Sequence, residues 1–241
     1  MLEIENLTKH FGAVTAVAGL SLSVGQGEVL GFLGPNGAGK TTTMKMVTGF
    51  LAPDGGTARI CGHDIVSDTR AAQMRIGYLP EGAPAYGEMT PREFLNFIAR
   101  VRGLHGAAAG LARDMAVART GLEAVIDRPI ENLSKGFRRR VGLAQAILHD
   151  PEVLILDEPT DGLDPNQKHA VRALIRDIAA KKTIIISTHV LEEVEAVCSR
   201  AVIIDRGRLV ADGTPAALAA RAASGKLDDV FRQLTSAEAA A

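Results

Sequence analysis

The chain has 241 residues, a net charge of −1 and 46% hydrophobic residues, enough to bury one large α/β core, or a core with one inserted subdomain. This balance leaves no global basic field to draw nucleic acid or an anionic membrane, and Cys61 and Cys198 are too few for a disulfide framework or a metal cluster. They read as buried small apolar side chains in a reducing compartment, and no apolar run approaches the ~18–20 residues of a membrane span.

Met1-Leu2-Glu3-Ile4-Glu5-Asn6 lacks the basic stretch and apolar run of a secretory signal. Apolar strands are expected at 18–24 and 28–33. Directly after the second comes Gly34-Pro35-Asn36-Gly37-Ala38-Gly39-Lys40-Thr41-Thr42, followed by the helix-like Met44-Lys45-Met46-Val47. Glycines at 34, 37 and 39 let the backbone curl until several N–H groups face one anion. A helix opening near Gly39 adds unpaired N–H groups and the favourable end of its dipole. Lys40 brings a positive charge toward β- and γ-phosphates, and the Thr41 hydroxyl can ligate Mg²⁺. The stretch therefore reads as a phosphate-binding loop rather than an ordinary Gly-rich turn.

Strands are expected next at 57–61 and 76–79. From about 82 to 132 the strand signal stops and two or three helices are expected, one opened by Thr90-Pro91-Arg92-Glu93 with a capping box. Leu133-Ser134-Lys135-Gly136-Phe137-Arg138-Arg139-Arg140 starts a helix expected over 135–149. It reads either as a second anion site at a helix start or as an N-capped helix with a solvated basic face. Asp150-Pro151 stops that helix ahead of a strand at 153–156, and Asp157-Glu158 follow at the strand's end, the edge where ligands of open α/β sheets gather. There Asp157 would hold Mg²⁺ and Glu158 would polarise an attacking water; the alternative is a plain acidic turn. A strand at 183–187 leads to His189, readable as a γ-phosphate sensor or as a helix-capping histidine. A strand at 201–205, a short helix from Thr214-Pro215, an amphipathic helix over 227–234 and a frayed tail at 236–241 complete the chain. Alternating solid apolar strands and helices imply a mostly parallel sheet covered on both faces.

Together these residues resemble the nucleotide-binding subunit of an ATP-binding cassette (ABC) transporter, over Met1 to about Gly213. The resemblance implies an α/β P-loop NTPase fold: a RecA-like core with a mostly parallel sheet, an N-terminal antiparallel β part and an inserted α-helical subdomain. It implies a single domain over 1–235, with the core at about 1–82 and 141–213, the helical subdomain at about 83–140, and C-terminal helices and tail at 214–241. In the family's terms, Gly34, Pro35, Asn36, Gly37, Ala38, Gly39, Lys40, Thr41 and Thr42 match Walker A, Val153 to Glu158 match Walker B, Leu133 to Phe137 match the signature, Gly162-Leu163-Asp164 match the D-loop, and His189 matches the switch histidine. Phe11 stands where the family stacks a ring on adenine, and fits a core position at a strand end equally well.

Two positions depart from the commoner pattern. The signature reads LSKGF where LSGGQ is usual, keeping Ser134 and Gly136 for the partner's γ-phosphate; Lys135 is compatible with a phosphate contact. Glu81 stands where a glutamine is usual, and its carboxylate can reach Mg²⁺ while adding charge beside the phosphates. Pro80-Glu81, the LSKGF-Arg-Arg-Arg run and the ending Leu227 to Thr235 look like the branch serving ABC-2 type exporters, with gliding-motility-like and multidrug-like members.

The resemblance implies an ATPase that uses ATP and Mg²⁺, with Glu158 and His189 catalytic and Thr41, Asp157 and Glu81 at the metal. It implies a second ABC ATPase subunit, as homodimer or heterodimer, and a separate transmembrane permease, with this chain peripheral on the cytoplasmic face of the cell membrane and no nucleic acid bound. The alternative is a soluble ABC ATPase acting on ribosomes or DNA. An importer motor is disfavoured by the short stretch after Gly213.

Overall fold

Leu2, Ile4 and Leu7 are buried while Glu3 and Glu5 face outward, and this alternation builds β1 (Leu2–Phe11), which turns back into β2 (Val14–Val24). The computed structural model describes residues 1–82 and 85–236. β3 (Val29–Leu33) enters a second sheet and leads into α1 (Lys40–Val47); β4 (Gly55–Ile60) and β5 (His63–Asp64) then extend the first sheet, which is antiparallel in the order β2-β1-β4-β5. α2 (Thr69–Met74) precedes β6 (Ile76–Leu79), and α3 (Pro91–Val101), α4 (Gly106–Thr120), two 3₁₀ turns and α5 (Lys135–Ile147) separate β6 from β7 (Val153–Asp157). The chain continues as α6 (Pro165–Ala179), β8 (Thr183–Thr188), α7 (Leu191–Val197), β9 (Arg200–Asp205), β10 (Arg208–Gly213), α8 (Pro215–Ala219) and α9 (Leu227–Ser236). The second sheet has the order β10-β9-β3-β8-β7-β6, parallel except for the β9–β10 hairpin.

The parallel strands are apolar through their middles, as in Val153-Leu154-Ile155-Leu156 and Ile184-Ile185-Ile186, because both of their faces are covered. Alternate residues feed two cores. Leu154, Leu156, Ile184 and Ile186 pack under the helical layer with Leu95, Leu143 and Ile175. Val153, Ile155 and Ile185 face the other way, toward α1 and the antiparallel sheet, with Leu2, Ile4, Met44 and Ile60. Leu227 and Val230 of α9 close a third cluster over β9.

The expected capping box is present: the Thr90 side chain accepts from the Glu93 backbone and the Glu93 side chain accepts from the Thr90 backbone, with Pro91 opening α3. Several boundaries move. β1, β5 and β10 were not among the expected strands. In β1 the polar alternation breaks at Asn6, whose φ of 49° accompanies a register shift. β2 begins at Val14, and α5 ends at Ile147 rather than at 149. Cys61 and Cys198 are half-buried rather than fully buried. Ala83, Pro84 and 237–241, which include most of the expected tail, lie outside the described residues. Among the described residues no helix is long and apolar enough to cross a membrane.

One contact fixes how closely α5 lies against the sheet. A Cβ added at Gly77 in β6 would stand 2.0 Å from the Ala146 carbonyl oxygen of α5, so only glycine lets the two backbones meet. Gly77→Ala is expected to destabilise the protein by about 1–3 kcal/mol through forced separation of these elements, seen as a lower urea midpoint at unchanged slope. An unaltered midpoint would mean that α5 retreats freely.

Candidate active site

Three parallel neighbours in the order β3-β8-β7 end at one edge of the sheet, and the turn after each carries polar chemistry. After β3 the loop 34–39 curls into α1. Gly37 and Gly39 have φ of 81° and 100°, a region that disfavours side chains. A Cβ on Gly37 would meet nothing within 4 Å, whereas one on Gly39 would lie 2.4 Å from the Ala16 carbonyl oxygen. The loop thus rests on β2 on one side and opens into a cavity of about 250 Å³ on the other, lined by Ala16, Asn36, Gly37, Gly39, Lys40, Thr41, Thr42, Glu81, Asp157 and Glu158.

Lys40 is only 8% exposed and donates to the carbonyl oxygens of Gly34 (2.6 Å) and Pro35 (3.0 Å) of its own loop. Burial lowers its pKa, opposed by the charges of Glu158, Asp157 and Glu81. At the end of β7, Asp157 is buried and accepts from the Thr41 hydroxyl at 3.3 Å. Burial pushes its pKa up, and the Glu81 and Glu158 charges add to the rise. Glu158 follows with φ of 50°, its N–H donating to the Ser187 carbonyl of β8 at 2.8 Å. That turn aims its carboxylate at His189, whose Nδ1 lies 2.7 Å from Glu158 Oε1, while the Thr188 hydroxyl lies 3.2 Å from Oε2.

The remaining expected site residues stand outside the cavity lining. Gly34 and Ala38 are buried in the loop: a Cβ on Gly34 would meet the Ile204 carbonyl at 2.6 Å and the Ala38 Cβ at 3.0 Å. Ser134 caps α5, accepting from the Phe137 N–H at 3.3 Å, and Asp164 caps α6, accepting from the Gln167 N–H at 2.9 Å. Gly136 packs on α6, where a Cβ would sit 2.4 Å from Gln167 Oε1. Lys135 turns to Asp161 of its own chain, with Nζ 2.8 Å from Oδ2. Phe11 is 52% exposed with Lys9 Nζ 5.8 Å from its ring centre, so it is not a core residue.

Residues 17–161 match the ABC transporter family. The chain is 42% identical to Nod factor export ATP-binding protein I of Paraburkholderia xenovorans (strain LB400), over 91% of this chain and 72% of that protein. It is 38% identical to linearmycin resistance ATP-binding protein LnrL of Bacillus subtilis (strain 168), over 92% and 71%. Among solved structures, an ATP binding subunit of an ABC transporter superposes with a TM-score of 0.88 at 30% identity, covering 97% of this chain and 99% of that one. This chain belongs to the ABC transporter family. It is an ATP-hydrolysing subunit of exporter type, and the ribosome- or DNA-directed alternative finds no support. A second solved structure, cbiO1 from Clostridium perfringens, described as part of the ABC transporter complex cbiONQ, superposes with a TM-score of 0.80 at 29% identity, covering 91% of this chain and 90% of that one.

The cavity of this cassette fits a Mg²⁺–polyphosphate. Gly37 offers open backbone, Lys40 a charge, and Thr41 and Asp157 hard oxygen donors within 3.3 Å of each other. Among the described residues no group of three or more His, Cys, Asp or Glu could hold a metal.

Arg139 is the organising residue that sequence reasoning missed. Within the expected basic face it is 5% exposed. Its guanidinium donates to the carbonyl oxygens of Asp157 and Glu158, and to that of Pro80 at 2.9 Å. It thereby ties the turn bearing Glu81 to the turn bearing the two carboxylates. Helical spacing carried the signal: Gly136, Arg139, Leu143 and Ala146 share the buried side of α5. Ala16 had no signal of its own, since it reaches the site only through the folded contact of β2 with the phosphate loop.

Arg139→Gln is expected to strand carbonyls buried around the site at about 1–3 kcal/mol per group, lowering both unfolding midpoint and ATP turnover. Arg139→Lys should restore little, because an ammonium cannot reproduce the forked donor geometry. Wild-type turnover in Arg139→Gln would show that this residue does not organise the turns.

Proposed function

We propose that this cassette hydrolyses ATP between two subunits and that the resulting closure and opening drive a separate membrane permease for export. The convergence of Lys40, Thr41, Asp157 and Glu158 on one cavity is the observation that carries this reading. In it, Gly34, Pro35, Asn36, Gly37, Ala38, Gly39 and Thr42 surround the phosphates with backbone and hydroxyl donors, and Lys40 leaves its loop carbonyls for the β- and γ-phosphate oxygens. Thr41 and Asp157, with Glu81 beside them, would hold Mg²⁺, which would supply charge neutralisation at those phosphates. Glu158 accepts a proton from the attacking water, and His189, held through Nδ1, keeps its other nitrogen for the transferred phosphoryl group. Phe11, already exposed at the end of β1, stacks on the adenine.

Ser134, Gly136 and the N-terminus of α5 meet the γ-phosphate bound by the partner subunit, with the Asp164 turn beside them. Closure then depends on the γ-phosphate, and its loss reopens the dimer. We retain the division into a core (1–82 and 141–213), a helical subdomain (83–140) and a C-terminal part (214–241). Between the first two lies an apolar groove of about 400 Å³ lined by Phe50, Tyr78, Pro80, Tyr86, Phe94, Phe97 and Arg102, among others. Phe50 is 74% exposed, and the Tyr78 hydroxyl is buried without a partner. Such a groove suits a cytoplasmic helix of the permease, which would hold this chain at the cytoplasmic face of the membrane.

Glu158→Gln is expected to lower turnover by about 10²- to 10⁴-fold while retaining ATP binding; hydrolysis at the wild-type rate would refute its role. Tagged Glu158→Gln protein, purified with ATP from gently solubilised native membranes, should bring a multi-span protein in stoichiometric amount. Adding Phe50→Asp should release that protein while ATP binding persists. Recovery of ribosomal or DNA-repair proteins without a permease would overturn the transport reading.

A further inference from the structure

Thr188 ends β8 fully buried, with its hydroxyl oxygen between two carboxyl groups, 3.2 Å from Glu158 Oε2 and 3.3 Å from Glu193 Oε2. The same oxygen accepts the Val190 N–H at 3.0 Å. A threonine hydroxyl has one proton and two lone pairs. Val190 uses one lone pair, so the proton and the other lone pair are left for the two carboxyl groups. One of these can receive the proton. The second contact is a hydrogen bond only if that carboxyl group brings a proton of its own; otherwise its oxygen faces a lone pair.

The surroundings decide which group is the acid. Glu158 lines the open cavity and has His189 Nδ1 at 2.7 Å. Glu193, in α7, is 2% exposed, and its Oε1 is buried without a partner. Among the described residues no cation makes an ion pair with it: the charges of Lys168 and Arg172 oppose the effect of burial from further off, and Arg172 pairs with Glu192 at 3.1 Å. Burying an unpaired carboxylate is strongly unfavourable, and burial is the leading cause of the upward pKa shift of Glu193.

We propose that Glu193 is a positioning residue for ATP hydrolysis: as a neutral acid it donates to Thr188 Oγ1, which donates to Glu158 Oε2 and holds that carboxylate in its working orientation. His189 holds the other carboxylate oxygen, so Glu158 is oriented from both sides. The proposal rests on the reading of Glu158 as the group that activates water.

The test compares ATPase kinetics and ATP affinity of Glu193→Leu, Glu193→Gln, Thr188→Val and Glu158→Gln, together with infrared spectra of the wild type and Glu193→Gln at neutral pH. Glu193→Leu and Thr188→Val are expected to lower kcat by about 10-fold or more at unchanged ATP affinity, and the double variant should fall no further than either alone. Glu193→Gln, whose amide can still donate to Thr188, should recover most of the loss. A protonated-carboxyl carbonyl band should be present in the wild type and missing in Glu193→Gln, and this result stands even if the leucine variant fails to fold. Unchanged kcat in Glu193→Leu and Thr188→Val, a glutamine variant as impaired as the leucine variant, or absence of the infrared band would each overturn the proposal. Turnover retained in Glu158→Gln would fail the underlying reading and this inference with it. Turnover lost in Glu158→Gln but kept in Glu193→Leu and Thr188→Val would fail this inference alone.

Discussion

The register of β3, β8 and β7 is the constraint on which the site depends. Leu33 pairs with Thr188, and Asp157 with Ser187, so three chain turns leave the sheet side by side. A slip of one residue would exchange the faces of Leu156 and Asp157. The apolar pattern resists such a slip only weakly, because these strands are apolar on both faces. Polar contacts bracket the pair instead. At the start of β7 and β8, Lys182 donates to Asp150 at 2.7 Å and to the Pro151 carbonyl at 2.5 Å, and at the far end the Glu158 N–H donates to the Ser187 carbonyl at 2.8 Å. The cores supply cohesion, while these few bonds select the alignment.

Electrostatics in the cavity run against what folding alone would choose. Three carboxylates and one lysine line it, with Asp157 pushed toward its neutral form and Lys40 toward losing its proton by burial. An anionic ligand entering a site with more acids than bases requires backbone donors and a cation to reverse the local sign. Residues arranged for a charged guest leave the fold strained in charge, a common expression of the trade between stability and activity.

Much of this was legible in the sequence because glycine, lysine and carboxylates at those spacings after apolar runs have few other physical uses. The solid apolar strands at 153–156 and 183–187 and the capping box at Thr90 were equally readable. β1 was not, because Asn6 breaks its period, and neither was β10, whose Arg208, Leu209 and Val210 lie exposed at the sheet edge. Arg139 was hidden by its neighbours: three consecutive arginines look like one solvated patch until helical geometry turns the middle one inward. Thr188 and Glu193 carry no motif chemistry, and their meaning appears only when the hydroxyl is seen between two carboxyl groups. Phe11 was ambiguous until its exposure removed the core alternative.

The β9–β10 turn looks like an ordinary surface hairpin, a place where an engineer would insert an affinity tag or a reporter domain. Yet Gly207 donates to the Ala38 carbonyl and accepts from the Ala18 N–H, both at 2.9 Å, and a Cβ there would approach the Ala16 carbonyl to 2.7 Å, the same oxygen that crowds Gly39. The turn is therefore a back wall of the phosphate loop, more than 160 residues away along the chain. A fusion spliced at that hairpin would arrive as a defect in nucleotide handling, and a library screened for activity would record it as a damaged active site although no catalytic residue had changed.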